Sequence, residues 1–574
     1  MSASHLQESE KQTIRDAQAK GGLTKALTYL KFSGPGWLQG AITLGGGSLT
    51  GALYLGVLAG YQLLWVQLVA MAMGVIMLSA IAYVTLSTGK RPFQAINEHI
   101  NPVLGWSWAI ATLMANIVWC LPQFSLGVAA VQQNLLPGLV GEGSGLSVNT
   151  GKAVVAFTLL AISTLVIWFY DSGGRGIKIF EGLLKAMVAV VVISFFGVVA
   201  TMTLRGALDW GTILGGFIPN LGYFNNPAEA FDEALAAAGA YADFWSGLIV
   251  ADQRDVMITA AATAVGINMT FLLPYSMLAK GWGKEFRGLA TFDLSTGLLI
   301  PYLLATSCVV IAAASQFHTR AAVGFLGERD AQGALIQPAK NLVGGFTGLL
   351  DQRLAKELGA EAFNSLDDSQ KAAARAALPE ADRRLAAMLV KRDAFNLADS
   401  LSVLTGKTMA HYVFGIGVLG MALSTIIILM LISGFTVCEM MGIPPQGNPR
   451  RFASLIAGIG VLGPFIWSGK SQFWLAVPTS VFGFMLLPIA FWTFFGMMNS
   501  KKLMGESLPQ GNKRLLWNGL MLVALTYATF GAAWNIWSRT QLIMGVQIRW
   551  IAIGLVALIV VLCFVFRPAR NPRA

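Results

Sequence analysis

The sequence predicts an all-α polytopic membrane protein of about twelve transmembrane helices, with both termini cytoplasmic. Three observations carry that prediction. Of 574 residues, 55% are hydrophobic and only 12% charged, against about 25% charged in an ordinary soluble domain. Apolar runs of the ~20 residues that a spanning helix needs recur along the whole chain. Lysine and arginine gather in alternate connections, which is how the cytoplasmic side is read.

The runs fall at about 32–60, 62–86, 104–136, 152–170, 178–204, 256–281, 291–317, 411–440, 451–468, 472–499, 512–538 and 547–566. A transmembrane β-barrel is excluded because stretches such as LLWVQLVAMAMGVIMLSAIAYV do not alternate polar with apolar residues. The leading segment, 1–31, is polar, mixed in charge and without an apolar h-region, so it reads as a cytoplasmic tail and not as a cleavable signal. Lys11, Arg15, Lys20, Lys25 and Lys31 precede helix 1, and Lys90 and Arg91 follow helix 2. Arg175, Lys178 and Lys185 mark the turn between helices 4 and 5, and Lys284 and Arg287 follow helix 6. Arg450, Arg451, Lys501, Lys502, Lys513 and Arg514 continue the series, and Arg567, Arg570 and Arg573 close it in a cytoplasmic tail, 567–574. The opposite connections are poor in bases. The one between helices 5 and 6 is acidic, with Glu229, Asp232, Glu233, Asp243, Asp252 and Asp255. It is either a solvated loop or an outward vestibule that concentrates cations.

Forty basic against 29 acidic residues give a net charge of +11. The bases are scattered between apolar runs instead of forming a stripe, so the expected partner is the lipid bilayer and not nucleic acid. Cys120, Cys308, Cys438 and Cys563 sit in apolar runs without ligand-like spacing, which argues against a zinc site or a disulfide framework. Neither a Gly-rich phosphate loop nor a catalytic dyad is present, so no cofactor and no enzymatic activity are expected.

Residues 318–410 interrupt the pattern with a polar stretch between helices 7 and 8 that is too long for an ordinary connection. Apolar residues at helical spacing in DQRLAKELGAEAF and in SQKAAARAALPEADRRLAAMLVKRDAFNLADSL predict two or three amphipathic helices in an external inserted subdomain. A lid, an oligomer contact and decoration all fit it.

Two features in the spans carry the functional reading. Near the middle of helix 1, Gly45, Gly46 and Gly47 lie between Thr43-Leu44 and Ser48. Each Gly costs a helix about 1 kcal/mol relative to Ala, so the run predicts an unwound stretch, or else a small-residue face for close packing. In helix 6, AVGINMTFLLPYSMLAKGWGKEF places Pro274 in the interior beside Asn268, Thr270, Tyr275 and Ser276. That predicts a second break or a simple kink. Breaks five spans apart are the pointer to two inverted five-helix repeats with a site between them at the midplane.

With these segments in view, the sequence resembles the Nramp family of divalent-metal transporters. FSGPGWL before the helix 1 break, GYQLLWV, STGKRP, DWGTILGGFIPNL, FDLSTGLLIPYLLATSCVVIAAA and PTSVFGFMLLPIAF stand in the family's order and spacing. The resemblance implies a LeuT-like five-plus-five inverted-repeat fold and metal transport. It leaves out 318–410 and the long connection between helices 5 and 6. The family's functional positions are altered here. Its helix 1 Asp-Pro-Gly-Asn is replaced by Gly45-Gly46-Gly47-Ser48, and its helix 6 Met-Pro-His by Leu273-Pro274-Tyr275, which removes a soft thioether ligand. Lys280 stands for a second histidine, and Asn116 and Gln123 in helix 3 stand where relatives carry acidic residues tied to proton movement.

The residue census points the same way. His5, His99, His318 and His411 all lie outside helix middles, and Asp255, Asp293 and Glu439 lie near helix ends. No confident metal ligand is present. A dehydrated Mg²⁺ or Mn²⁺ wants six ligands, usually including a carboxylate, so the expected cargo is a hydrated, Mg²⁺-like divalent cation. It would be held by opened carbonyls near Leu44 and Thr270 with Ser48, Ser276 and Ser424, and the family's proton coupling is in doubt. Lys280 is the deepest ionisable side chain and either snorkels or faces the cavity, where it would repel a cation. Two further readings stand beside this one. The first is a carrier whose solute carboxylate rests on the N–H groups of Gly45–Ser48, and the second is a non-transporting sensor.

Overall fold

A computed structural model describes residues 3–141, 143–170, 174–406, 408–466 and 476–566. The basic tail 567–574 lies outside them. Among the described residues ten helices are long and apolar enough to cross a membrane, or up to eleven when one bent pair is taken as a span. That pair is helix 1, divided into 1a (Pro35–Thr43) and 1b (Gly46–Ala59) with a 54° bend. Pro35 opens 1a at its first position, where its missing N–H costs nothing.

Helices 2 (Leu64–Thr88), 3 (Pro102–Ala129, with a π-helical extension Ala130–Leu135), 4 (Val148–Tyr170) and 5 (Gly174–Leu204) follow. Helix 6 is also in two pieces, 6a (Ala242–Ala264) and 6b (Ile267–Ala279). Helix 7 is Arg287–Leu294 and Ile300–Phe317 joined by a π-helical turn, and helix 8 is Phe414–Met440. Helices 10 (Ala476–Asn499), 11 (Gly511–Ser538) and 12 (Ile548–Val565) complete the set, with a two-stranded hairpin between the last two.

Three expectations are corrected. The apolar run at 451–468 is not one long helix among the described residues. It forms a short helix (Gly447–Ser454), a 3₁₀ stretch (Ala457–Leu462) and one further turn (Gly463–Ile466). Gly460 and Gly463 press so closely on helix 3 that an added Cβ would lie 2.8 Å from Cys120 and 2.1 Å from the Leu121 carbonyl. Helix 6 begins near residue 242 and not 256, so Asp243, Asp252 and Asp255 ride on helix 6a instead of a loop. The insertion holds five helices, from Lys340–Leu358 to Ala394–Thr405, in place of two or three.

The insertion docks on the connection between helices 5 and 6. Buried Arg353 pairs with buried Asp382 at 3.2 Å and lies over the Tyr241 ring, while the Trp245 indole N–H donates to Asp382 at 2.6 Å. At the other end of the bundle the leading segment is helical (Ala3–Lys20 and Gly22–Phe32) and is tied down by an Arg15–Glu285 ion pair at 2.9 Å. The molecule therefore has an insertion face and a basic face.

In its most apolar stretch helix 6 is 94% buried and helix 12 not at all, so helix 6 is central and helix 12 peripheral. Helix 1 packs against helix 7 through glycines, with backbone on both sides. A Cβ on Gly40 would fall 2.1 Å from the Gly297 carbonyl oxygen, and one on Gly56 2.5 Å from that of Val310. Gly40→Ala must push backbone apart and is expected to destabilise by about 1–3 kcal/mol. Gly182→Ala, with nothing within 4 Å of its new methyl, is expected to stabilise by about 0.5–1 kcal/mol. Thermal unfolding of the two variants in detergent checks both signs.

Candidate functional site

Helix 1 ends at Leu44 because the next three residues are glycines, and Gly45 takes an extended conformation (φ −129°, ψ −176°) before helix 1b restarts. The exposed backbone is then claimed group by group. Gly46 N–H donates to Gln123 Oε1 at 2.8 Å, and Gly45 N–H donates to Ser48 Oγ at 3.1 Å. Ser48 Oγ donates back to the Gly45 carbonyl at 2.9 Å. From helix 8, Ser424 Oγ donates to the Ala41 carbonyl at 2.9 Å and Thr425 Oγ1 to that of Ile42 at 3.4 Å.

The second break is at Val265 and Gly266, not at Pro274. Val265 is extended (φ −143°, ψ 116°), as is Gly266 (φ −95°, ψ 164°). A side chain on Gly266 would strike the Trp119 ring at 2.3 Å. Pro274 lies eight residues on, inside the continuous helix 6b. The two breaks are stitched together by Thr43, whose hydroxyl reaches the Ala264 carbonyl at 3.4 Å and the Met269 sulfur at 3.3 Å.

Between the breaks lies a cavity of about 40 Å³, room for about three waters at ~10–15 Å³ each. Thr43, Gly45, Gly47 and Ser48, named from the sequence as substrate-binding, line it, and so does Gln123, named there for the proton route. It is also lined by residues the sequence reading missed, among them Thr263, Asn268, Met269, Thr425, Thr479 and Ser480. Asn268 stood beside the expected break and was legible as a polar flank. Thr479 and Ser480 carry no local signal, since only tertiary packing brings helix 10 here. Among the described residues no lining residue is ionisable, and no group of three His, Cys, Asp or Glu could hold a metal. A thioether is present after all in Met269, which corrects the expectation that it was lost. Its sulfur accepts from Thr43 Oγ1 and from Gly266 N–H at 3.4 Å, so it is occupied in this conformation.

The other expected residues lie around the cavity. Gly46 faces an adjoining vestibule of about 90 Å³ on the insertion side. Leu44 is buried at the bend, and Ser424 acts on the carbonyl behind it. Thr270 accepts from the Trp108 indole N–H at 2.9 Å. Asn116 donates to Ser433 at 3.2 Å, away from the cavity. Leu273 is buried in helix 6b, where its carbonyl accepts from Ser276 Oγ at 2.9 Å.

Tyr275 belongs to a column of rings beneath the cavity. Trp108 and Phe271 are 4.6 Å apart, Phe271 and Tyr275 stack at 4.6 Å, and Tyr275 and Phe435 stack at 6.0 Å. Lys280 does not face the cavity. It ends helix 6b on the basic face, pairs with Glu181 at 3.0 Å and lies over the Trp282 ring. Next to it, Lys185 donates to the Ser33 carbonyl at 2.7 Å. The buried carboxylate of Asp293 accepts from Gly34 N–H at 3.1 Å and Gly36 N–H at 2.7 Å. These groups fix the start of helix 1a.

Losing Asp293 would strand two buried N–H groups at about 1–3 kcal/mol each. Asp293→Ala is therefore expected to lower the unfolding temperature in detergent clearly more than Asp293→Asn, which keeps an acceptor.

Comparison with known proteins agrees with this architecture. The sequence model of the Nramp family, described as natural resistance-associated macrophage protein-like, matches residues 36–349 and 384–538. The match thus enters the insertion from both sides and leaves only its middle uncovered. The metal transporter Nramp2 of Oryza sativa subsp. japonica is 29% identical over 171 residues, 29% of this chain and 30% of that protein. The manganese transporter pdt1 of Schizosaccharomyces pombe is 26% identical over 212 residues, 37% of this chain and 38% of its own length. The chain therefore spans only about a third of the length of these curated relatives. The crystal structure of a mutant of the Eremococcus coleocola manganese transporter superposes with a TM-score of 0.52 at 14% identity, covering 95% of this chain and 96% of that one. The chain belongs to the Nramp family and is an integral membrane protein with that family's LeuT-like fold.

Proposed function

We propose that the protein is a secondary transporter of divalent cations that takes them in hydrated, Mg²⁺-like form and does not use the family's proton route. The observation that carries this reading is the cavity between the two broken helices, whose lining holds no ionisable side chain among the described residues. Stripping a divalent ion of water in a low-dielectric site needs negative ligands to offset the desolvation. Hydroxyls and amides do not supply them. They do suit the outside of a partial hydration shell, on the scale of the about three waters that this conformation has room for, since Thr43, Ser48, Gln123, Thr479 and Ser480 can accept from or donate to bound water. Mg²⁺ gives up water reluctantly and usually keeps several waters when bound.

The softness that would favour a transition metal is muted. The Met269 sulfur is already engaged by two donors. The relatives named as metal and manganese transporters support cation cargo in general. The carboxylate-carrier reading has lost its supports, because Gly45 and Gly46 spend their N–H groups on Ser48 and Gln123 and Lys280 lies outside the cavity. By the distribution of lysine and arginine both termini are cytoplasmic and the insertion is external.

Flux into proteoliposomes tests the reading. Saturable Mg²⁺ uptake is expected, with less than about tenfold preference between Mg²⁺ and Mn²⁺, equivalent to under ~1.4 kcal/mol, and with no response to an imposed pH gradient. Ser480→Ala and Asn268→Ala should each raise the half-saturating concentration severalfold. Strong preference for Mn²⁺ with proton uptake would reject the proposal.

A further inference from the structure

The cavity at the breaks and the vestibule share Pro122 and Ala476, and Gly46 on the vestibule wall lies between Gly45 and Gly47 on the cavity wall. From there the vestibule extends to the insertion, where Asn341, Lys391, Asp393 and Phe395 form its wall. Among the described residues, Lys391 and Asp393 are the only charged ones lining either space. The insertion thus contributes the charges that, among the described residues, line the two connected spaces.

Residues 391–393 are anchored to both discontinuous helices. The Tyr54 hydroxyl of helix 1b donates to the Arg392 carbonyl at 2.5 Å, and the Lys391 ammonium is paired with Asp252 of helix 6a. The Arg392 guanidinium is buried over the Phe317 ring of helix 7 and donates to the Met388 and Ala387 carbonyls, each at 3.2 Å. Asp393 caps the helix Ala394–Thr405. Its Oδ1 accepts from Phe395 and Asn396 N–H at 3.0 and 2.9 Å, and its Oδ2 accepts from Asn341 Nδ2 at 3.0 Å. A carboxylate has about four acceptor positions, so one remains for a cation or its water. Burial pushes this carboxyl above the ordinary aspartate value, and the bonds from Asn396, Phe395 and Asn341 pull it back.

We infer that Asp393 is the charge-selecting residue at the mouth of the transport route, and that Asp252 neutralises Lys391 so that the vestibule carries a net negative field. The inference rests on the cation-transport reading for its purpose, but its test does not need transport. The reporter is Ser125→Cys, on the vestibule wall one turn from the shared Pro122, in a chain carrying Cys563→Ser. The other three cysteines are buried. Gln133→Cys, exposed on the same wall, is a second reporter should the first fail to fold.

Membrane-impermeant cationic and anionic methanethiosulfonates are applied from the insertion side, and their rates are normalised to a small free thiol. The cationic reagent is expected to react about tenfold faster, the effect of one unit charge within several ångströms in a partly screened site. Asp393→Asn keeps the helix cap, since Asn caps as well as Asp, and should bring the ratio to about one. Asp252→Asn, which unmasks Lys391, should tip it toward the anionic reagent, and adding Lys391→Gln should restore the cationic preference. An unchanged ratio in all variants, or no labelling of either reporter from that side, overturns the inference. The expected labelling with no Mg²⁺ or Mn²⁺ flux would reject the transport reading alone.

Discussion

Lipid offers an open peptide group no partner, and this fold depends on how the chain meets that constraint where helices 1 and 6 come apart. At each break unpaired backbone groups are taken by side chains, some from the resumed helix itself, as Ser48 and Met269, and some from other spans. Gln123 of helix 3 serves the Gly46 N–H, while Ser424 and Thr425 of helix 8 serve the carbonyls behind the bend. Thr43 then joins one break to the other. The same polar groups that make the unwinding affordable form the wall of the cavity. Structure and site are built from one set of hydrogen bonds.

That economy fits a cavity whose described lining holds no carboxylate. Its ionisable groups are moved to the two ends of the route. On the basic face, Glu181, Lys185, Lys280 and Asp293 satisfy one another and the first turn of helix 1a. On the insertion face, Lys391, Asp252 and Asp393 stand over the vestibule. A neutral centre between charged ends suits a cargo that keeps its own water. The relatives are named for metals, and here the charge that could meet one lies about the route's margins.

The sequence made the spans legible because twenty-residue apolar runs have few alternative readings. The helix 1 break was legible too, since three successive glycines mark either an unwound stretch or a close-packing face, and the chain unwinds there. Helix 6 was misread for a reason of scale. Pro274 is the louder local signal, but an internal proline costs only what its surroundings fail to absorb, and helix 6b runs through it. Gly266 is quieter, and its importance comes from Trp119, over a hundred residues earlier. Met269 escaped notice through the same displacement of the break. The run at 451–468 failed as a long helix because its glycines and Pro464 were read as apolar filler, whereas two of those glycines lie against the backbone of helix 3. Asp293 was seen near a helix end without its purpose, since its partners Gly34 and Gly36 belong to another span.

The ring column of Trp108, Phe271, Tyr275 and Phe435 has a bearing on leakage. A pocket of neutral groups holds an ion only weakly, so retention falls to whatever closes the path beneath it. Stacked aromatic faces expel water, and an ion dragging its shell meets there a dry plug and not a narrow strait. On the proposed transport reading, tightness would come from dewetting below the pocket, and release to that side would require helices 3, 6b and 8 to unstack.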